Sequence, residues 1–215
     1  MSETKPFRAV LAVDVQGCGQ QPDVLLPVLY HEIHSLLTGI CERNSLGEAW
    51  RSVSLLQRPG HEIVALLPAE TLPLLVHPFL DDLQGDLASS DLKICEHGLG
   101  LRLRVALHVG PVEEGTATAD IARAVNEVHR LLRCEPLVAA LDDSDPDVTL
   151  VAAVLSSEGF AAFTESGGTE PPASRFTEIR ARGKAFDRQA WLYVPSPSSA
   201  AGEPAPPASS REVTT

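Results

Sequence analysis

The chain reads as alternating strand and helix patterns. Phe7–Val15 (FRAVLAVDV) is almost continuously apolar, the signature of a strand buried on both faces. It runs into a glycine turn, Gln16-Gly17-Cys18-Gly19. Asp23–Arg43 then carries Leu25, Leu26, Val28, Leu29, Ile33, Leu36, Leu37 and Ile40 at helical spacing. Trp50–Gln57 and Glu62–Leu67 flank Arg58-Pro59-Gly60-His61 and predict a hairpin. A second helix is expected within Leu72–Leu87 and a strand over Leu101–Val109 (LRLRVALHV). Ala119–Arg133 is helical, with Ile121, Val125, Val128 and Leu132 on one face. A strand at Asp147–Leu155 and two late β segments, Arg175–Arg182 and Gln189–Val194, close the pattern, with no internal repeat.

Strand, helix, hairpin, helix, strand is a βαββαβ order. It predicts an α+β sandwich with a ferredoxin-like sheet, helices on one face and extra C-terminal strands. That architecture serves many functions and by itself assigns none. After Val194 the composition turns to Pro, Ala and Ser (PSPSSAAGEPAPPASSREVTT), too poor in large apolar residues to offset its ordering entropy. We therefore expect one domain over residues 5–194 and a disordered tail over 195–215.

Charge narrows the function classes. Among 215 residues, 17 Lys and Arg stand against 29 Asp and Glu, a net charge of −12. Such a surface repels polyphosphate backbones, so a general nucleic-acid binder is not expected. Cys18, Cys41, Cys95 and Cys134 lie far apart with no Cys-x-x-Cys pair, which argues against a zinc ribbon, a redox dithiol or a disulfide framework. No apolar run has the length of a membrane span and the N-terminus lacks a signal pattern, so a cytoplasmic protein without membrane attachment is expected.

Several residues could carry chemistry. Asp14 ends the first strand, where a carboxylate can bind a hard cation, and Gly17, Cys18 and Gly19 can present backbone N–H groups to phosphate. Asn126 and Arg130, four residues apart, share a helix face and could orient a ribose and a phosphoryl group. Arg182-Gly183-Lys184 could set a cation over a triphosphate, or be a basic turn. His31, Glu32, His34 and Cys41 lack the His-Glu-x-x-His order and are expected to be surface or packing residues.

In this order, the pieces resemble the class III nucleotidyl cyclase homology domain, above all the short, divergent cyclase-like proteins of actinobacteria. LAVDVQG is similar to that family's Asp-Ile/Val-x-Gly metal motif and QRPGHEIVALLP to its Lys-x-x-Gly-Asp hairpin. RVALHVGPV resembles its Arg-Ile-x-Ile-His-x-Gly-x-Val strand, AVNEVHRLL its Val-Asn-x-Ala-Ala-Arg helix, and RARGKAF with AWLYV its closing Lys-Gly-Lys and strand. The resemblance spans about Phe7 to Val194.

The resemblance implies two metal ions, Mg²⁺ or Mn²⁺, that activate a ribose hydroxyl and hold a triphosphate. It gives Asp14 and the Val15 carbonyl the first metal position and puts His61 at the second, where an imidazole is a poor substitute for a bridging carboxylate. Glu62 is one residue off, and strand alternation would turn it the other way. The purine-selecting Lys position falls on Gln57. Its acidic partner falls on Ala119, beside Asp120. Asn126 and Arg130 keep the transition-state positions, and Arg182 or Lys184 the late phosphate cation. Sites of this family form between two protomers, so a homodimer, or a heterodimer with another cyclase-like chain, is implied. The expectation is a degenerate, non-catalytic cyclase-like domain that senses a purine nucleotide or binds a protein partner in bacterial signalling, with or without a metal. The alternatives are an active manganese-dependent cyclase making cAMP or cGMP, and a scaffold that binds no nucleotide.

Overall fold

The computed structural model describes residues 6–16, 26–52, 54–57, 62–89, 101–112, 119–167, 170–183 and 186–196. Gly17, Cys18, Gly19, His61, Lys184, Cys95 and the chain from residue 197 lie outside these ranges, and for residues 54–57 only the backbone is described.

The strands are β1 (Phe7–Val15), β2 (Ser54–Gln57), β3 (Ile63–Pro68), β4 (Leu103–Pro111), β5 (Val151–Ser156), β6 (Thr177–Gly183) and β7 (Phe186–Tyr193). They form one sheet in the order β2-β3-β1-β4-β5-β7-β6. The helices are α1 (Leu26–Arg43), α2 (Gly47–Arg51), α3 (Leu72–Val76), α4 (Phe79–Ser89), α5 (Ala119–Leu131), α6 (Glu135–Asp142) and α7 (Ser157–Glu165). β1 pairs antiparallel with both β3 and β4, so β2-β3-β1-β4 is the expected ferredoxin-like unit. β5 joins β4 in parallel after α5 and α6, and the β6–β7 hairpin closes the far edge.

Strand alternation explains the layers. Ala9, Leu11, Val13 and Val15 of β1 face one core, packed with Leu29, Ile33, Leu37 and Ile40 of α1 and Phe79, Leu80, Leu83 and Leu87 of α4. Val10 and Ala12 face a second core with Val125, Val128 and Leu131 of α5 and Leu137 and Leu141 of α6. The expectation of helices on one face holds for α1 and α4 of the βαββαβ unit and fails for the whole sheet. Because the central strands are apolar on both faces, each face needs a cover. Ala12, Ala106 and Ala152 provide a low floor on the α5–α6 side.

Other boundaries differ for local reasons. Trp50 belongs to α2, not to the hairpin, and its indole N–H donates to Thr38 Oγ1 at 2.8 Å. The expected helix over Leu72–Leu87 is broken into α3 and α4 at Pro78, which has no N–H to continue a helix. β5 starts at Val151 rather than Asp147. There Gln84, 1% exposed, accepts from the N–H groups of Leu150 and Val151 and donates to the Val148 carbonyl. His34 packs between Tyr30 and Trp50, and Cys41 and Cys134 are buried free thiols, as expected of packing residues. Among the described residues no helix is long and apolar enough to cross a membrane.

Candidate functional site

The register of β1 places Asp14 among polar neighbours. Asp14 lies directly opposite Arg104 of β4, on the face covered by α5 and α6. Arg104 donates from Nη2 to Asp14 Oδ2 at 2.5 Å, and both side chains are largely shielded from water, 17% and 15% exposed. On the β3 side the pairing Val13–Ile63, carried one step further, sets Glu62 beside Asp14. Ile63 faces the α1 core and Val64 the α5 core, so Glu62 faces α5. His129 of α5 confirms this, with its Nδ1 at 2.7 Å from Glu62 Oε2. Glu62, expected to turn away, is therefore the hairpin carboxylate that shares a face with Asp14; the Val13–Ile63 register fixes that parity. It is 6% exposed.

Further polar ties close this end of the sheet. Gln16 donates to Asp142 at the end of α6. Arg102 donates to the carbonyls of Thr149 and Leu141 and to Ser144 Oγ, and burial pulls its guanidinium below its ordinary range. Among the described residues, three buried atoms here have no hydrogen-bond partner: Gln16 Oε1, Glu62 Oε1 and Arg104 Nε.

The remaining predicted residues are spread along and across the sheet. Gln57 is level with Ile63, near Asp14. Asp120 opens α5 at the other end and lines a cleft of about 210 Å³ with Phe7, His108, Arg123, Glu127 and Arg188. Val13 and Phe7 mark those two levels on β1, about 20 Å apart along a strand, so one chain does not bring Gln57 and Asp120 together. Asn126 and Arg130 are exposed on α5. The Arg130 guanidinium stands 5.4 Å from the centroid of the Phe186 ring, a cation–π contact. Ala181 faces the α5–α6 core, so its neighbour Arg182 points from the opposite face of the sheet, exposed. Val15 is buried on the α1 side and pairs with Leu103. Gly17, Cys18, Gly19, His61 and Lys184 lie outside the described residues.

In the cleft, burial holds the His108 imidazole below its ordinary range, opposed by the charge of Glu158. Its Nδ1 is 2.9 Å from Ser156 Oγ, which also accepts from the Gly159 N–H and so caps α7. Burial raises the Glu127 carboxyl, with Arg188 acting against it. Arg104, His129 and His108 were not singled out from the sequence as partners of Asp14, Glu62 and Ser156, respectively. The signal for the first pair was opposite charge on neighbouring strands, which becomes visible only once the register is known.

A pair of Mg²⁺ or Mn²⁺ ions needs carboxylate oxygens free to ligate, completed by substrate phosphates. Here Asp14 is bound to a guanidinium and Glu62 to an imidazole. No three His, Cys, Asp or Glu side chains among the described residues are placed to hold a metal ion. The described residues on this face make no metal site by themselves, and the second position that the resemblance assigns, His61, lies outside them.

No protein-family model matches the sequence, and no curated protein matches it. Solved structures do. The chain is similar to the dimeric guanylyl cyclase domain of the RhoGC fusion protein from the aquatic fungus Blastocladiella emersonii, at TM-score 0.55 and 12% identity over 89% of this chain and 97% of that one. It is equally similar to the adenylyl cyclase CyaB from P. aeruginosa, at TM-score 0.55 and 12% identity over 91% and 97%. The guanylate cyclase domain of RhGC from Catenaria anguillulae, solved with GTP, gives 0.52 and 12% over 90% and 98%. Nearly the whole of each of these domains is covered, and the chain has the fold of the class III nucleotidyl cyclase domains.

Proposed function

We propose that this is a non-catalytic cyclase-fold domain that senses a purine nucleotide at an interface with a second cyclase-like chain, another copy of itself or a relative, in bacterial signalling. The observation that carries the reading is the state of the acidic sheet end. Both carboxylates that face α5 there are paired within the chain, Asp14 with the Arg104 guanidinium and Glu62 with the His129 imidazole. Loss of the charge relay of a metal pair removes several kcal/mol of transition-state stabilisation, which is orders of magnitude in rate.

The transition-state positions Asn126 and Arg130 are retained, whereas the purine-selecting positions carry Gln57 and Ala119. Asn126 can donate to a ribose oxygen and Arg130 to a phosphate, both from the exposed side of α5. Asp120 can accept from a base N–H in the cleft. Arg130 lies against Phe186 while Asp14 lies against Arg104, and a second chain would complete the site. The similar fungal domain, a non-canonical dimer, supports dimerisation of such a fold. Residues 5–194 would form the sensing domain, with the Pro-rich tail as a tether.

Thermal shift against ATP, GTP, cAMP and cGMP, each in EDTA, Mg²⁺ and Mn²⁺, tests this. A ligand at about 100 times its Kd stabilises by about 2.7 kcal/mol, roughly 5–10 °C for a domain of this size. The reading expects such a shift for at least one nucleotide, lost in Arg130→Ala. No shift with any of them contradicts it and leaves a scaffold. Exposure of both Asn126 and Arg130 favours one other reading, a manganese-dependent cyclase, which requires cyclic nucleotide to accumulate.

A further inference from the structure

On the face of the sheet opposite Asp14, a second cleft of about 410 Å³ opens between the start of α4 and the segment that follows α7. None of its lining residues belongs to the proposed nucleotide site. The geometry points to this cleft as a binding site for a free α-amino acid, whose ammonium is held by Glu170 and whose carboxylate is held by Arg175.

The floor of the cleft is fixed by internal hydrogen bonds. Tyr193 of β7, buried in the core, donates from its hydroxyl to Asp81 Oδ1 at 3.1 Å. Burial, helped by the Asp81 charge, pushes that hydroxyl above its ordinary range, so it keeps its proton. The other Asp81 oxygen, Oδ2, is 2.7 Å from His77 Nδ1. Asp81 is thus committed to internal partners and holds the His77 ring with Nε2 toward Glu170, whose Oε2 lies 3.6 Å away. That gap is longer than a hydrogen bond. The Glu170 side chain is 74% exposed and has no closer partner among the described residues. Arg175 is the complementary case. Its Nη2 donates to a neutral hydroxyl, Ser196 Oγ, at 2.8 Å, and its guanidinium stands 6.0 Å from the centroid of the Tyr193 ring. Among the described residues no carboxylate pairs with it, although Asp81 and Glu170 line the same cleft. One carboxylate and one guanidinium therefore stand uncommitted to each other between walls of Pro171, Pro172 and the Tyr193 ring. Such a cleft matches a ligand that carries both charges. A guanidinium takes a carboxylate through two parallel N–H groups, and an ammonium donates to a carboxylate. A simple anion would meet repulsion from Glu170, and a simple amine would meet it from Arg175. The volume lies at the small end of ligand clefts, which suits one amino acid with its side chain on the apolar walls.

The test is isothermal titration of the full chain with each of the twenty L-α-amino acids. At least one is expected to bind saturably at millimolar concentration or below. Its N-acetyl and methyl ester forms, which each lack one of the two charges, should bind roughly tenfold more weakly or worse. Glu170→Gln and Arg175→Met should each weaken the parent amino acid by the same factor. Both side chains are exposed, so both variants are expected to fold with an unchanged urea midpoint. The analogues carry the same expectation on the wild type if either variant does not. Acetate or ethylamine binding as tightly as the amino acid would overturn the inference, because one charge would then suffice. So would binding that both variants leave unchanged, or no binding by any of the twenty. The nucleotide reading fails separately: thermal shifts with nucleotides should be the same in Glu170→Gln as in the wild type, and their absence from both leaves the amino-acid result standing.

Discussion

Replacing Arg104 by methionine strips the partner from a carboxylate that is 15% exposed, on a face floored by Ala12 and Ala106. Removing one member of a buried ion pair costs about 3–5 kcal/mol, most of it the desolvated charge left behind. The residual exposure of Asp14 lets water relieve part of this, so Arg104→Met is expected to lose about 3 kcal/mol. Converting the pair to apolar residues of similar size is often close to neutral. The double variant Asp14→Leu/Arg104→Met should therefore regain most of the loss and lie within about 1–2 kcal/mol of the wild type. Urea unfolding followed by the fluorescence of Trp50 and Trp191 gives all the stabilities of the cycle. Additive effects of the two changes, or an Arg104→Met loss below about 0.5 kcal/mol, a value typical of exposed pairs, would refute the picture of a shielded, structure-bearing pair.

Gln84→Leu should lose roughly 3 kcal/mol in the same assay, because two buried N–H groups and a carbonyl at the start of β5 lose their partner together. Ser156→Ala removes the cap of α7 and the partner of His108, an expected loss of about 1–2 kcal/mol by urea unfolding. Cys41, whose thiol burial pushes up to about 12, should react with a thiol reagent at pH 8 only as fast as the domain opens; rapid labelling of the folded protein would contradict its burial. His108 is held below its unfolded value of 6.5 by burial, so it folds neutral. Its contribution is complete above that pH and falls away as pH drops below it, because the unfolded chain takes up the proton first. Stability measured from pH 7.5 to 5 should decline less in His108→Gln than in the wild type.

The parts of the fold that rest on periodicity were legible in the sequence. β1, β4, α1 and α5 lie where apolar spacing puts them, because each has enough turns or alternations to set a pattern. α6 and α7 were not expected. Glu135–Asp142 is short and follows a cysteine that makes no side-chain cap, and Ser157–Glu165 has glycine in its first turn, so neither has a strong helical signal. Of the site, the residue types were legible and their neighbours were not. Asp14 and Arg104 are 90 residues apart, and Glu62 and His129 are 67 apart. Which of His61 and Glu62 shares a face with Asp14 depends on a register that a hairpin sequence alone leaves open by one residue.

We propose a cyclase fold without cyclase chemistry. The most direct measurement is cyclic nucleotide production by the purified full chain from ATP and from GTP, with Mg²⁺ and with Mn²⁺, against Asp14→Ala. No cAMP or cGMP above the Asp14→Ala background is expected under any of these conditions. Accumulation of either product by the wild type, abolished in Asp14→Ala, would contradict it.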